Sequence, residues 1–325
     1  MGLFDLFKSK ATNENKDTEE KIEPKVSFEV LRDDGVRAMK MGEVAFAAKC
    51  FSAALEMKDD LTTLSYLAEA QIRMQNFEEA RPALERLVNE APDNLTLYLL
   101  LAQTLGEVKD FENMKSVAEK AIQLDAESAS AKYYSAKASF EMKDPFNAIA
   151  LLTQALQLHE NFAEARSLRA KVLASMLQFN DALEDTSKLV EQNAENEDFM
   201  LQHASVLSAL DRKEEAIEYV QKVMEYNPFN QDAILEAANL YQSNSQYDKA
   251  LEILNEAIEN QPDFAKAYKI RGGIKLHLKD QAGAAEDLKK SLEMEPELAN
   301  QIEGEFSTLE NKMNDRFKSM NPYGF

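Results

Sequence analysis

The sequence predicts an all-α protein built as a solenoid of about eight helix-turn-helix units, closed by a C-terminal capping helix. Three observations carry this prediction. Paired amphipathic stretches recur with starts at 28, 61, 95, 129, 163, 197, 231 and 265, the first interval being 33 residues and each later one 34. Small residues recur at fixed places in those stretches. Glycine and proline are scarce, at 9 and 8 of 325 residues, and several prolines fall at the ends of units. A chain of this length would ordinarily suggest two domains, but each repeat contacts mainly its neighbours, so periodicity overrides that prior.

Residues 231–264 show the unit most clearly. Ile234, Ala237, Ala238 and Tyr241 lie on one helical face, the polar run 243–246 breaks it, and Ala250, Leu251, Leu254, Ala257 and Ile258 form a second face before Pro262. One such hairpin cannot bury both faces alone, so it needs copies on either side. The first helices share a small residue at Gly35, Ala68, Ala102, Ala136, Ala170, Ala204, Ala238 and Gly272, which allows a partner helix to approach closely. The second helices repeat Ala47, Ala80, Ala148, Ala182, Ala216, Ala250 and Ala284, with Met114 the exception. A larger packing column runs through Phe51, Leu84, Leu152, Val220, Leu254 and Leu288, and a further column through Ala54, Leu87, Ala121, Ala155, Leu189, Val223, Ala257 and Ser291. Phe77, Phe111, Phe179 and Tyr247 fill the hairpin turns. Pro92, Pro228, Pro262 and Pro296 close units, because proline cannot continue the hydrogen-bond ladder and disfavours helix in the residue before it. Asp59, Ala126, Glu160 and Ala194 stand at that place in the other four, so faster amide exchange is expected around Ala126 and Ala194 than around Pro228 and Pro262. Pro82 sits in the first turns of a second helix, where it is expected to shift the helix start.

The period, the small-residue columns and the closing proline resemble the tetratricopeptide repeat family over about residues 28–298. The resemblance implies a right-handed superhelix whose first helices line a concave face that holds an extended peptide or a helix of a partner protein. Carried onto this sequence, the groove residues are Tyr66, Glu69, Ile72, Arg73, Leu99, Leu100, Gln103, Tyr133, Tyr134, Lys137, Phe140 and Lys171. Later units offer the more polar Ser167, Gln202, Ser205, Glu236 and Asn239. One subfamily clamps a chaperone's C-terminal carboxylate with Lys, Asn and Arg. The corresponding places here include Arg32, Val36, Tyr66, Thr96 and Leu100, so the clamp is not supported and an apolar or amphipathic ligand is expected.

The ends differ from the array. Residues 1–10 carry Leu3, Phe4, Leu6 and Phe7 on roughly one face, and 11–26 are polar and read as a tether, so 1–27 form a separate segment. Leu298, Ile302, Phe306, Leu309, Met313 and Phe317 predict one more amphipathic helix over about 297–320, a cap whose other face meets water; 299–325 hold the cap and an Asn-Pro-Tyr-Gly-Phe tail.

Composition narrows function. Net charge is −21, from 37 basic against 58 acidic residues, which argues against nucleic acid and anionic membrane surfaces. Cys50 is the only cysteine, so no internal disulfide forms. His159, His203 and His277 fall in different repeats, Gly272-Gly273 lacks phosphate-loop spacing, and the carboxylates read as scattered over solvated faces. No enzyme activity, cofactor or metal is expected. The expected function is a cytoplasmic scaffold or adaptor. The alternatives are an accessory subunit recruited to a membrane-associated complex through residues 1–10, and a self-associating assembly factor. Oligomeric state is open.

Overall fold

In a computed structural model of the chain the described residues are 27–296. The expected N-terminal amphipathic segment, capping helix and tail lie outside them. The described residues form sixteen α-helices and no strand. They fall into two compact units, the chain dividing between Val108 and Lys109.

The first unit holds α1 (Phe28–Met41), α2 (Val44–Met57), α3 (Leu61–Arg73), α4 (Phe77–Glu90) and α5 (Leu95–Glu107). The second holds α6 (Phe111–Leu124), α7 (Ala129–Glu141), α8 (Pro145–Leu158), α9 (Ala163–Ser175), α10 (Phe179–Gln192), α11 (Glu197–Ala209), α12 (Lys213–Tyr226), α13 (Gln231–Ser243), α14 (Tyr247–Asn260), α15 (Ala265–His277) and α16 (Gln281–Met294). Each odd-numbered helix begins on a repeat start read from the sequence. Most of them open on a side-chain cap: Ser27, Asp60, Asn94, Ser128, Asn196 and Asn230 each accept from the backbone N–H three residues on. The one short interval arises between α2 and α3, where three residues (58–60) do the work of four.

The repeat columns are the core. The small first-helix column, the second-helix alanines and the packing column are all buried except Leu288, which is partly exposed. Burying one leucine of that column contributes roughly 1.5–3 kcal/mol, so a hairpin needs its neighbours to offset the entropy of ordering its residues. In α6 the Met114 exception is matched one turn later. Ala118 stands where most other repeats place a larger apolar residue, and both Met114 and Ala118 are fully buried, so the usual small-large order has become large-small at similar volume. Gly35 has a similar reason. A Cβ there would lie 2.5 Å from the Phe51 ring, whereas three of the four repeats with leucine at that place hold alanine opposite it.

Every hairpin turn has one residue in the left-handed region. It is Gly42 in the first repeat, and Gln75, Lys109, Lys143, Leu177, Asp211, Ser245 and Lys279 in the others. The helix then closes by a six-to-one bond: Asn76 N–H donates to Gln71 O at 2.9 Å, Gln178 N–H to Leu173 O at 2.9 Å, Gln246 N–H to Tyr241 O at 2.8 Å. The position carries no glycine signal in the sequence, since seven of its eight occupants are other residues.

The closing prolines reinforce a stop that exists without them. α6 and α10 end at the same register as α12 and α14, although Ala126 and Ala194 replace proline. The turns are closed alike: Ser128 N–H donates to Asp125 O at 3.2 Å and Asn196 N–H to Asn193 O at 3.1 Å, against 3.1 Å for Asn230 N–H to Asn227 O. α6 and α7 also pack more extensively than α14 and α15, whose junction carries Pro262. The expected loosening at Ala126 thus has no basis in the packing. Pro82 lies inside α4 without shifting its start, Phe77, which matches the register of Phe111 and Phe179.

Candidate protein-interaction face

In the first unit the expected groove residues sit on α3 and α5. Glu69 and Arg73 are exposed, one helical turn apart, and pair at 2.6 Å. Tyr66 is half-buried, its ring 5.5 Å from that of Phe51 and packed against the Ala47–Phe51 core, so part of this anchor is committed to holding α2 and α3 together. Ile72, Leu99 and Leu100 are half-buried and Gln103 is exposed. Arg32, at the clamp register, pairs with Asp33 at 2.9 Å.

In the second unit Tyr133 and Tyr134 on α7 have ring centroids 5.3 Å apart, and Tyr133 stands 5.2 Å from Phe162. Tyr133 and Phe140 pack against the α7–α9 core on one side. Exposed Lys171 on α9 places its Nζ 5.8 Å from the Phe140 ring centre, and Lys137 is half-buried. Tyr133, Tyr134, Phe140 and Lys171 therefore form one partly exposed aromatic-cationic surface across two first helices. Along α9, α11 and α13, Lys171, Ser205 and Asn239 are exposed at one repeat position, while Leu168, Gln202 and Glu236 are half-buried at another.

Charged clusters on the other side of these helices were missed. Asp185 and Asp287 are each 2% exposed. Arg169 grips Asp185 with two bonds of 2.7 and 2.6 Å and reaches Thr153 Oγ1 at 3.2 Å, while Arg166 approaches at 3.4 Å and donates to Glu160 O. Three repeats later Arg271 grips Asp287 at 2.8 and 2.6 Å and reaches Asn255 at 2.7 Å, with Lys275 at 2.8 Å. The expectation that carboxylates lie on solvated faces fails at these two. The signal was available: Arg and Asp sixteen residues apart, at one register, twice. Burial pushes the Asp287 carboxyl up, but the bonds from Arg271 and Lys275 outweigh it and hold it below the ordinary range. In the repeat directly after Asp185, the same two places hold His203 and Tyr219, edge-to-face at 4.6 Å. His203 Nδ1 lies 2.9 Å from Thr186 Oγ1, and burial, with Arg212 nearby, lowers the imidazole's pKa. His203 and Tyr219 line a shallow crevice of about 390 Å³ with Met200, Lys222 and Tyr226.

Cys50 is buried, and burial raises its thiol pKa, Asp34 adding to the effect. No helix of the described residues is long and apolar enough to cross a membrane.

The comparisons agree with this architecture. A tetratricopeptide repeat model matches residues 38–104 and 207–272, and another matches 95–128. A crystal structure of a tetratricopeptide repeat protein from Parabacteroides merdae ATCC 43184 is 14% identical, with a TM-score of 0.62 over 75% of this chain and 98% of that one. The APC/C hetero-tetramer Cut9-Hcn1 is 15% identical, with a TM-score of 0.56 over 78% of this chain and 50% of the other. At such identities the likeness is one of fold. No curated protein sequence matches. With its sixteen described helices in register and these matches along both units, the chain is built of tetratricopeptide repeats.

Proposed function

We propose that the chain is a non-catalytic scaffold that holds a peptide or a helix of a partner protein on the face made by its first helices. The carrying observation is the partly exposed cluster of Tyr133, Tyr134, Phe140 and Lys171, with Tyr66, Leu99 and Leu100 at equivalent places in the first unit. Aromatic anchors give large contact area with few rotors to freeze, which favours them as binding hot spots. The occupant is apolar or amphipathic, since no set of Lys and Asn for a free carboxylate stands at the clamp register. A buried free thiol and an acidic surface fit a cytoplasmic setting.

The test is selection of random displayed peptides on the full chain, followed by titration of the selected peptides. Tyr66→Ala, Leu100→Ala and Tyr134→Ala combined should weaken them at least about tenfold, since hot-spot truncations cost roughly 2 kcal/mol or more, with helicity unchanged by circular dichroism. Equal binding to the triple variant would sink the reading.

A further inference from the structure

Glu236 on α13 stands out among the side chains of the first-helix face. It is half-buried, yet no hydrogen bond or ion pair reaches it among the described residues. The repeat explains why. One repeat earlier, Gln202 occupies the same position and is satisfied. Its Oε1 accepts from Ser167 Oγ at 2.8 Å, and its Nε2 donates to Ser167 O at 2.8 Å. Stepping both residues on by one 34-residue unit turns Gln202 into Glu236 and Ser167 into Leu201. Leu201 offers no hydroxyl and packs against the apolar cluster around Ala237 and Leu240. One repeat later the position is Ile270, also packed on that cluster. By register Glu236 therefore falls beside Leu201 and Ile270 on the flanking first helices, both packed on that apolar cluster, while Asp232 and Asn239, both exposed, stand one turn away on its own helix. Burial alone pushes its pKa up. A half-buried carboxylate with no counter-charge destabilises the free protein.

We infer that Glu236 is a specificity residue of the interaction face, receiving an arginine or lysine of the bound partner segment. The inference rests on the proposed scaffold reading and deepens it. Charge complementarity selects the occupant: the methylene stem of Arg or Lys packs on Leu201 and Ile270 while its cation meets the carboxylate, which a wholly apolar side chain would leave unpaired. Binding then removes the penalty that the free protein carries.

The experiment uses peptides selected from a random displayed dodecapeptide library on the full chain, made synthetically and titrated by fluorescence polarisation. The expected peptides share one fixed Arg or Lys. Glu236→Gln should weaken them about tenfold or more, the value of a charged hydrogen bond, while Asp232→Asn leaves them unchanged. Replacing the basic residue of the peptide by norleucine should cost a similar factor on the native chain and little further on Glu236→Gln. The variant should melt no lower than the native protein, which separates loss of binding from loss of fold. Selected peptides without a fixed basic residue, or equal binding to Glu236→Gln, overturn the inference and leave the scaffold standing. Failure to select any peptide removes the scaffold reading and the inference with it.

Discussion

At the scale of single residues, the turn position shows how an unfavourable residue persists in a repeat. Leu177 has φ +61° and is 76% exposed, so its side chain gains little from the fold while its backbone sits where a Cβ is disfavoured. Glycine is the usual occupant of this helix-end geometry, as at Gly42. Leu177→Gly should therefore stabilise the protein by about 1 kcal/mol, the left-handed penalty less the backbone entropy of glycine. Chemical denaturation would show it as a raised midpoint with the slope unchanged; a lowered midpoint would show that the leucine packs in a way its exposure conceals. Gly35 and Phe51 illustrate the opposite case, a special residue demanded by one neighbour.

Between elements, α15 and α16 are joined by an ion cluster as well as by apolar packing. Asp287 is buried against Arg271 and Lys275, and removing one member of such a cluster leaves charge uncompensated. Asp287→Asn should cost on the order of 3 kcal/mol at pH 7. The pH dependence has a definite sign. The carboxyl's pKa is lowered on folding, so its contribution is complete above the ordinary value of 3.8 and disappears as pH falls through the lower, folded value. The gap between native protein and variant should narrow from pH 7 towards pH 2 in urea titrations. A constant gap would locate the effect of the variant in packing instead. The Asp185 cluster between α9 and α10 repeats the device with two arginines. Both pairs replace contacts that are apolar elsewhere, such as Leu151 on α8 and Ile253 on α14, so the device is a local alternative to hydrophobic contact.

Across the whole molecule, stability follows from nearest neighbours, and it is uneven. The largest buried cluster of the second unit runs from Met200 to Ile274, and α13 lies inside it with Ala233, Ile234, Ala237, Ala238, Leu240 and Tyr241 all buried. Native-state hydrogen exchange should be slowest along α13, and the α6–α7 junction should be protected at least as well as the α14–α15 junction despite lacking a proline. Faster exchange at Ser128 than at Phe264 would restore the proline as the determinant of junction strength.

The sequence by itself determined the helical class, the start of every first helix, and the small-residue columns. These follow from periodic burial, which a one-dimensional repeat writes directly into the chain. It also placed the aromatics Tyr66, Tyr133, Tyr134 and Phe140 on first helices, because residue type and register are both readable from the chain. What only the tertiary structure decided depends on what stands opposite a residue. Met114 and Ala118 exchange volume, Tyr66 spends part of its ring on Phe51, and Asp185 is buried because Arg169 is there to meet it. Gln202 and Glu236 share one register, yet Ser167 satisfies the first and Leu201 leaves the second unpaired. Register fixes where a side chain lies along the array; its energy is set by the partner that packing brings to it.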